Sequence, residues 1–173
     1  MDPKVILSFV SSSIRVVKEV SKLELYRNRT SIKRQKRINK SVAVLIMFEE
    51  DIKGCIIFEF DKGLSVKMVD NMLKEVYGKG IESMTNEEFK EMFKDILGEV
   101  ANQISGNAVT ELFNSGVKIH ILPPIVLINR EGLLVSYKQY VESLLDTVYG
   151  SMSISILFDN SLDVESLKSE VKS

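Results

Sequence analysis

The 173-residue sequence is poor in the side chains that most chemistries need: it has one cysteine, one histidine, no tryptophan, three prolines and nine glycines. A disulfide needs two thiols and most zinc sites need several Cys or His ligands, so Cys55 and His120 supply neither alone. A serine or cysteine nucleophile with a histidine base would have to use His120, which stands between Ile119 and Ile121 with no second histidine to orient or replace it. His120 therefore reads as a structural or surface residue. Cys55 alternates within a strand-like run and reads as a small apolar side chain. Glycine-rich phosphate loops of the nucleotide or dinucleotide type are missing. No apolar run is long enough to span a bilayer, and Asp2 and Pro3 stand where a signal peptide would carry basic residues, so the expected location is the cytoplasm.

What is present is average in amount and uneven in placement. Hydrophobic residues at 45% and charged residues at 27% are those of an ordinary globular domain, and the length suits one domain with a real core. The net charge of −1 hides a segregation: Arg27, Arg29, Lys33, Arg34, Lys36, Arg37 and Lys40 carry +7, which leaves −8 for the rest of the chain. That basic segment has no apolar periodicity and no acidic partners at four-residue spacing, so it reads as a solvated loop over about residues 26–41.

The few punctuating residues imply long elements. Asp2 can cap and Pro3 can open a helix to about residue 22, with Val5, Ile6, Phe9, Val10, Ile14, Val17 and Val20 at helical spacing. Residues 42–48 and 54–60, dense in Val, Ile and Phe, read as a β-hairpin, and residues 64–77 as a second helix stopped by Gly78 and Gly80. Thr85 and Glu88 have the spacing of a capping box. A third helix over about residues 85–115 follows, apolar at Phe89, Phe93, Ile96, Val100, Ile104, Ala108 and Leu112. Residues 117–127 can be a strand only if Pro123 and Pro124 sit at an edge or bend; after the turn at Asn129–Gly132, residues 133–140 and 148–158 read as extended. The expected fold is α+β, an antiparallel sheet with two or three helices packed on one face. Residues 1–160 form a single domain in this reading, and 161–173 a polar C-terminal tail.

The third helix is the informative element. With Asp95 set at zero on a helical wheel, Glu99 falls at about 40°, Asn102 at about −20°, Gly106 at about 20° and Glu91 at about −40°. Ile96, Phe93, Val100, Phe89 and Ile104 lie between about 100° and 180°, so this stripe faces solvent or a partner. An acidic hydrated face is the bland explanation. Asn102 and Gly106 are less easily explained that way, because both are poor mid-helix residues and both fall on the same patch.

Asp95, Glu99, Asn102, the run Ile104–Ala108 and the pair Pro123 and Pro124 together resemble the signature of the CheC, CheX and FliY family of bacterial chemotaxis phosphatases. Asp2 and Pro3, Gly54, and the run Val69–Leu73 extend the resemblance over nearly the whole chain. CheC carries the Glu and Asn pair on two helices. Here the first helix lacks it, since Glu19 is followed three places later by Lys22, and one motif per chain is the CheX pattern.

The resemblance implies a CheC-like fold and a phosphatase that removes the phosphoryl group from the aspartate of phosphorylated CheY, the chemotaxis response regulator. It implies that Asn102 orients the attacking water, that Glu99 docks to a cation of the regulator, and that Asp95 extends the docking surface. Magnesium would sit in the regulator's active site and none would be bound by this chain. A homodimer formed through sheet edges is the implied assembly. A non-enzymatic flagellar switch scaffold of related fold, binding CheY or other switch proteins, is the alternative; it would not require the Glu and Asn pair. Nucleic acid or an anionic membrane as partner of the basic segment is not expected, because aromatic residues are not interleaved with its charges.

Overall fold

The computed structural model describes residues 3–135 and 139–158. The proposed cap at Asp2 and the tail at 161–173 lie outside the described residues. In chain order the elements are α1 (Pro3–Ser21), β1 (Tyr26–Lys33), β2 (Lys36–Arg37), β3 (Val42–Glu50), β4 (Gly54–Phe60) and α2 (Lys62–Tyr77). A short 3-10 turn (Ile81–Ser83) leads into α3 (Asn86–Asn114), followed by β5 (Ile119–Ile121), β6 (Ile125–Ile128), β7 (Leu134–Val135), β8 (Tyr140–Thr147) and β9 (Gly150–Phe158). Seven strands form one sheet in the order β1-β8-β9-β4-β3-β5, with β6 also paired to β3; all these pairings are antiparallel. This is the expected α+β fold with three helices.

Period-two alternation decides which side chains face the helices. Val42, Val44, Ile46 and Phe48 of β3, Ile56, Phe58 and Phe60 of β4, and Met152, Ile154 and Ile156 of β9 share one core with α1, α2 and α3. Ala43, Leu45, Met47, Cys55, Ile57 and Leu157 point to the other face. That face is covered by a separate two-stranded ribbon, β2 paired with β7, which contributes Ile38 beside β2 and Val135. Pro123 and Pro124 separate β5 from β6, and both short strands pair with β3 at the sheet edge, which satisfies the restriction proline imposes.

Two expectations are corrected. The basic segment is not a loop over residues 26–41: β1 is an edge strand paired with β8, and β2 belongs to the covering ribbon. It shows no apolar periodicity because β1 is exposed along most of its length, as a charged edge strand that resists unwanted pairing can be. Three of its charges find acidic partners far along the chain. Lys33 and Lys36 both bond Glu142, Lys36 also bonds Glu59, and Lys40 reaches Asp61 at 2.7 Å. The second correction concerns β8. The extended reading of residues 133–140 resolves into β7 and the first residue of β8, with 136–138 outside the described residues; the strand itself continues to Thr147.

Candidate functional site on the long helix

The long helix is well anchored at its start. Thr85 is the N-cap: its hydroxyl accepts from the Glu88 backbone N–H at 3.3 Å, and the Glu88 carboxylate accepts from the Thr85 N–H at 2.9 Å. These bonds to Thr85 hold the Glu88 carboxyl below its usual range. The expected capping box is present. At the other end the Ser115 N–H bonds the Glu111 and Leu112 carbonyls and Gly116 adopts a positive φ of 87°, which ends the helix.

Over most of its length α3 is buried more widely than its large apolar residues predict. Phe93, Val100 and Ile104 are buried as expected, while Ile96 and Phe89 are only partly so. Leu97, Gly98, Ala101, Ser105, Ala108 and Leu112 are buried too. These mostly small side chains let α3 pack closely against its neighbours, and an exposed face remains. Glu91, Asp95, Glu99 and Asn102 lie on it, all exposed, with Gly106 half-buried at its end. A Cβ added at Gly106 would meet nothing within 4 Å, so the space beside Asn102 is open.

Glu99 and Asn102 are three residues apart, about 4.5 Å along the helix axis and on the same side. Gln103 Nε2 donates to Glu99 Oε1 at 3.0 Å, which steadies the carboxylate and leaves Oε2 without a partner among the described residues. Among the described residues, the Asn102 amide and the Asp95 carboxylate have no hydrogen bond or ion pair. Asn107 Nδ2 and Thr110 Oγ1, on nearby turns, donate back to the Gln103 and Gly106 carbonyls at 3.0 and 2.9 Å, so these donors are engaged within the helix. Asn102 is a polar group held ready on a rigid element, with both its donor and its acceptor free.

A depression of about 310 Å³ runs beside these residues, lined by Lys94, Asp95, Gly98, Glu99, Asn102, Pro124 and Val126. The structure thus brings all three sequence-picked residues, Asp95, Glu99 and Asn102, to one concave site, and adds one of the two prolines as its wall. Gly98 escaped notice in the sequence. A Cβ there would lie 3.4 Å from Val126 Cγ2 and 3.7 Å from Pro124 Cγ, an ordinary contact, so β6 and Pro124 pack close against the helix at this turn and leave little room for a larger side chain. The available signal was a glycine in mid-helix, disfavoured by about 1 kcal/mol relative to alanine and one turn before Asn102. Gln103 was missed as well, because its role depends on reaching back to Glu99.

The residues set aside in the sequence stay apart from this site. Cys55 is fully buried and burial pushes its thiol up to about 12, which leaves it inert as a nucleophile at neutral pH. His120 is exposed on edge strand β5, paired in register with Glu49. Among the described residues no group of three or more His, Cys, Asp or Glu side chains is placed to hold a metal ion. No helix among them is long and apolar enough to cross a membrane.

Comparison with known proteins agrees with the fold. The profile of the family described as chemotaxis phosphatase CheX matches residues 42–145, which takes in both the β3–β4 hairpin and the whole of α3. The CheY-P phosphatase CheX of Thermotoga maritima is 22% identical over 137 residues, 79% of this chain and 83% of that protein. The chemotaxis protein CheX of Vibrio vulnificus superposes with a TM-score of 0.74 at 23% identity, covering 90% of this chain and 99% of the other. CheX of Borrelia burgdorferi, solved with CheY, BeF3 and Mg2+, superposes with a TM-score of 0.72 at 22% identity, covering 90% and 97%.

Proposed function

This chain belongs to the CheX family of chemotaxis phosphatases, and from that premise we propose that it hydrolyses the aspartyl phosphate of the response regulator CheY, with Asn102 orienting the attacking water and Glu99 docking the regulator. The observation that carries the reading is the unpartnered Asn102 amide, exposed one turn from Glu99 on a helix fixed by its cap and its packing.

Hydrolysis of an acyl phosphate needs little covalent help from the catalyst. Water oxygen forms a new bond to phosphorus, the bond from phosphorus to the aspartate oxygen breaks, and the aspartate leaves as a carboxylate while the water's proton passes to solvent or to the phosphate formed. The leaving carboxylate is weakly basic, so no general acid is required. What remains is to hold water in line with the breaking bond and to balance charge on the phosphoryl oxygens. The Asn102 side-chain oxygen accepts from that water and its NH2 group donates to a phosphoryl oxygen. Glu99, steadied by Gln103, offers its free oxygen to a cation beside the regulator's phosphoryl group, a charge-assisted bond that sets Asn102 in register. Asp95 prolongs the same acidic row by one turn. Magnesium, carried by the regulator, neutralises the phosphoryl oxygens.

The assembly reading follows the same lines. β1 on one side of the sheet, and β5 and β6 on the other, are the edge strands through which two copies could pair; light scattering should return twice the chain mass.

The experiment is phosphate release from phosphorylated CheY with magnesium. Asn102→Ala is expected to lower turnover by about 10²–10³, the cost of removing a preorganised hydrogen-bonding group at the reacting centre, with the fold unchanged. Glu99→Ala should weaken both binding and turnover. Wild-type protein that releases no phosphate above the regulator's own rate would overturn the reading and favour the scaffold alternative, and full turnover by Asn102→Ala would overturn the role given to Asn102.

A further inference from the structure

Beside the acidic row of α3 runs a second row of opposite sign. Lys90 and Lys94 are one turn apart and both exposed, and Lys94 lines the same depression as Glu99 and Asn102, on the side of Pro124 and Val126. Glu91, Asp95 and Glu99 succeed one another at four-residue spacing on the adjoining strip. Like charges at that spacing destabilise a helix by about 0.2–0.5 kcal/mol per pair, and alternating the signs would have turned each clash into a stabilising pair. Among the described residues none of Lys90, Lys94, Glu91, Asp95 and Glu99 makes an ion pair within 4.0 Å. Glu91 and Lys94, like Glu87 and Lys90, stand at the three-residue spacing that favours opposite charges, yet among the described residues neither pair closes to an ion pair.

Resting on the function proposed above, we propose that Lys94, supported by Lys90, binds the carboxylate-rich rim of the phosphorylated regulator and, opposite the acidic row, fixes the regulator's rotation about α3. The partner's chemistry supplies the complement. A magnesium ion beside an acyl phosphate is held by oxygen ligands, chiefly carboxylates, so the regulator surface around the phosphoryl group is acidic away from its own cation. With Glu99 on that cation, Lys94 falls on the opposite flank of the helix. Gly98 lies between Lys94 and Asn102 at successive turns and lines the same depression, with Val126 and Pro124 beside it. Lys94 is eight residues from Asn102, about 12 Å along the axis, too far to touch the phosphorus and near enough to reach the rim. It is a positioning residue that sets which surfaces can dock.

The test is steady-state dephosphorylation of CheY by wild type, Lys94→Glu, Lys94→Arg and Asn102→Ala at two salt concentrations, with thermal unfolding as a check on folding. Lys94→Glu is expected to raise KM about tenfold at low salt with kcat within about twofold, and less at high salt, as for a charge at the rim of an interface. Lys94→Arg should return KM to near the wild-type value, since it keeps the charge. A KM for Lys94→Glu within twofold of wild type, or a fall in kcat without a change in KM, would overturn the inference. The two failures are distinct: if Asn102→Ala is inactive and Lys94→Glu binds normally, only this inference falls, whereas inactive wild type removes the function beneath it.

Discussion

On the face of the sheet away from the helices, the Lys36 ammonium is fully buried, bonded to Glu59 and Glu142 and lying 5.4 Å from the centre of the Tyr140 ring. Glu59 also accepts from the Asn39 backbone N–H at 2.6 Å and from Ser153 Oγ at 3.3 Å. On α3, by contrast, Lys90, Lys94, Glu91 and Asp95 are exposed and have no charged partner among the described residues. The two clusters contain the same residue types. They differ in where their partners are, and that difference separates charge that holds the β2–β7 ribbon on the sheet from charge that is available to another protein.

The comparison breaks most visibly at Lys36. Replacing it by methionine leaves the Glu59 carboxylate buried without its cation, and we expect a loss of about 3–5 kcal/mol in stability by denaturant unfolding. Phosphate release per folded molecule should be retained, because the ribbon lies across the sheet from α3. A stable Lys36→Met protein with impaired turnover would show that the two clusters are not separate.

Gly98→Val attacks the site by shape instead of charge. Its branched methyl groups would press on Val126 and Pro124, costing about 1–3 kcal/mol as overpacking does, and would fill the depression between Lys94 and Asn102. Stability and KM should both suffer; an unchanged KM would mean that the depression is not where the regulator sits.

A smaller effect is expected from acid. Burial by itself would raise the Glu142 carboxyl, but the hydrogen bond from Lys33 and the charges of Lys36 and Lys33 outweigh it and hold the group below its ordinary value of 4.5. Asp61 is likewise held low, burial being outweighed by Lys40 and by bonds from Ser151. A carboxyl depressed in the folded state stabilises it above the unfolded value, and that contribution is lost as pH falls through the folded one. Stability measured against pH should therefore be level near neutrality and decline below about pH 4.5, less steeply in Glu142→Gln.

How much of this could be read beforehand follows from where each partner lies. Helix α3, its capping box and its exposed strip depend on neighbours within four residues, and the β3–β4 hairpin on a short connection, so all were legible. Strand β1 was not, because its pairing partner Tyr140–Thr147 is more than a hundred residues away and its own side chains bury little. Strand β8 was hidden for a related reason: Glu142 and Ser143 interrupt its apolar pattern, and only the folded chain supplies the Lys33, Lys36 and Thr30 groups that make their burial affordable. Of the site, Asp95, Glu99 and Asn102 stood out by spacing and resemblance. Gly98 did not, since what it packs beside, Pro124 and Val126, comes from another element.

The central claim is that Asn102 is held ready by the fold without contributing to it. Comparing Asn102→Ala with wild type in two measurements tests this directly: phosphate release from CheY, and unfolding stability. The account predicts a fall in turnover of about 10²–10³ with stability within about 0.5 kcal/mol of wild type. Undiminished turnover, or a loss of activity that merely follows a loss of folded protein, would contradict it.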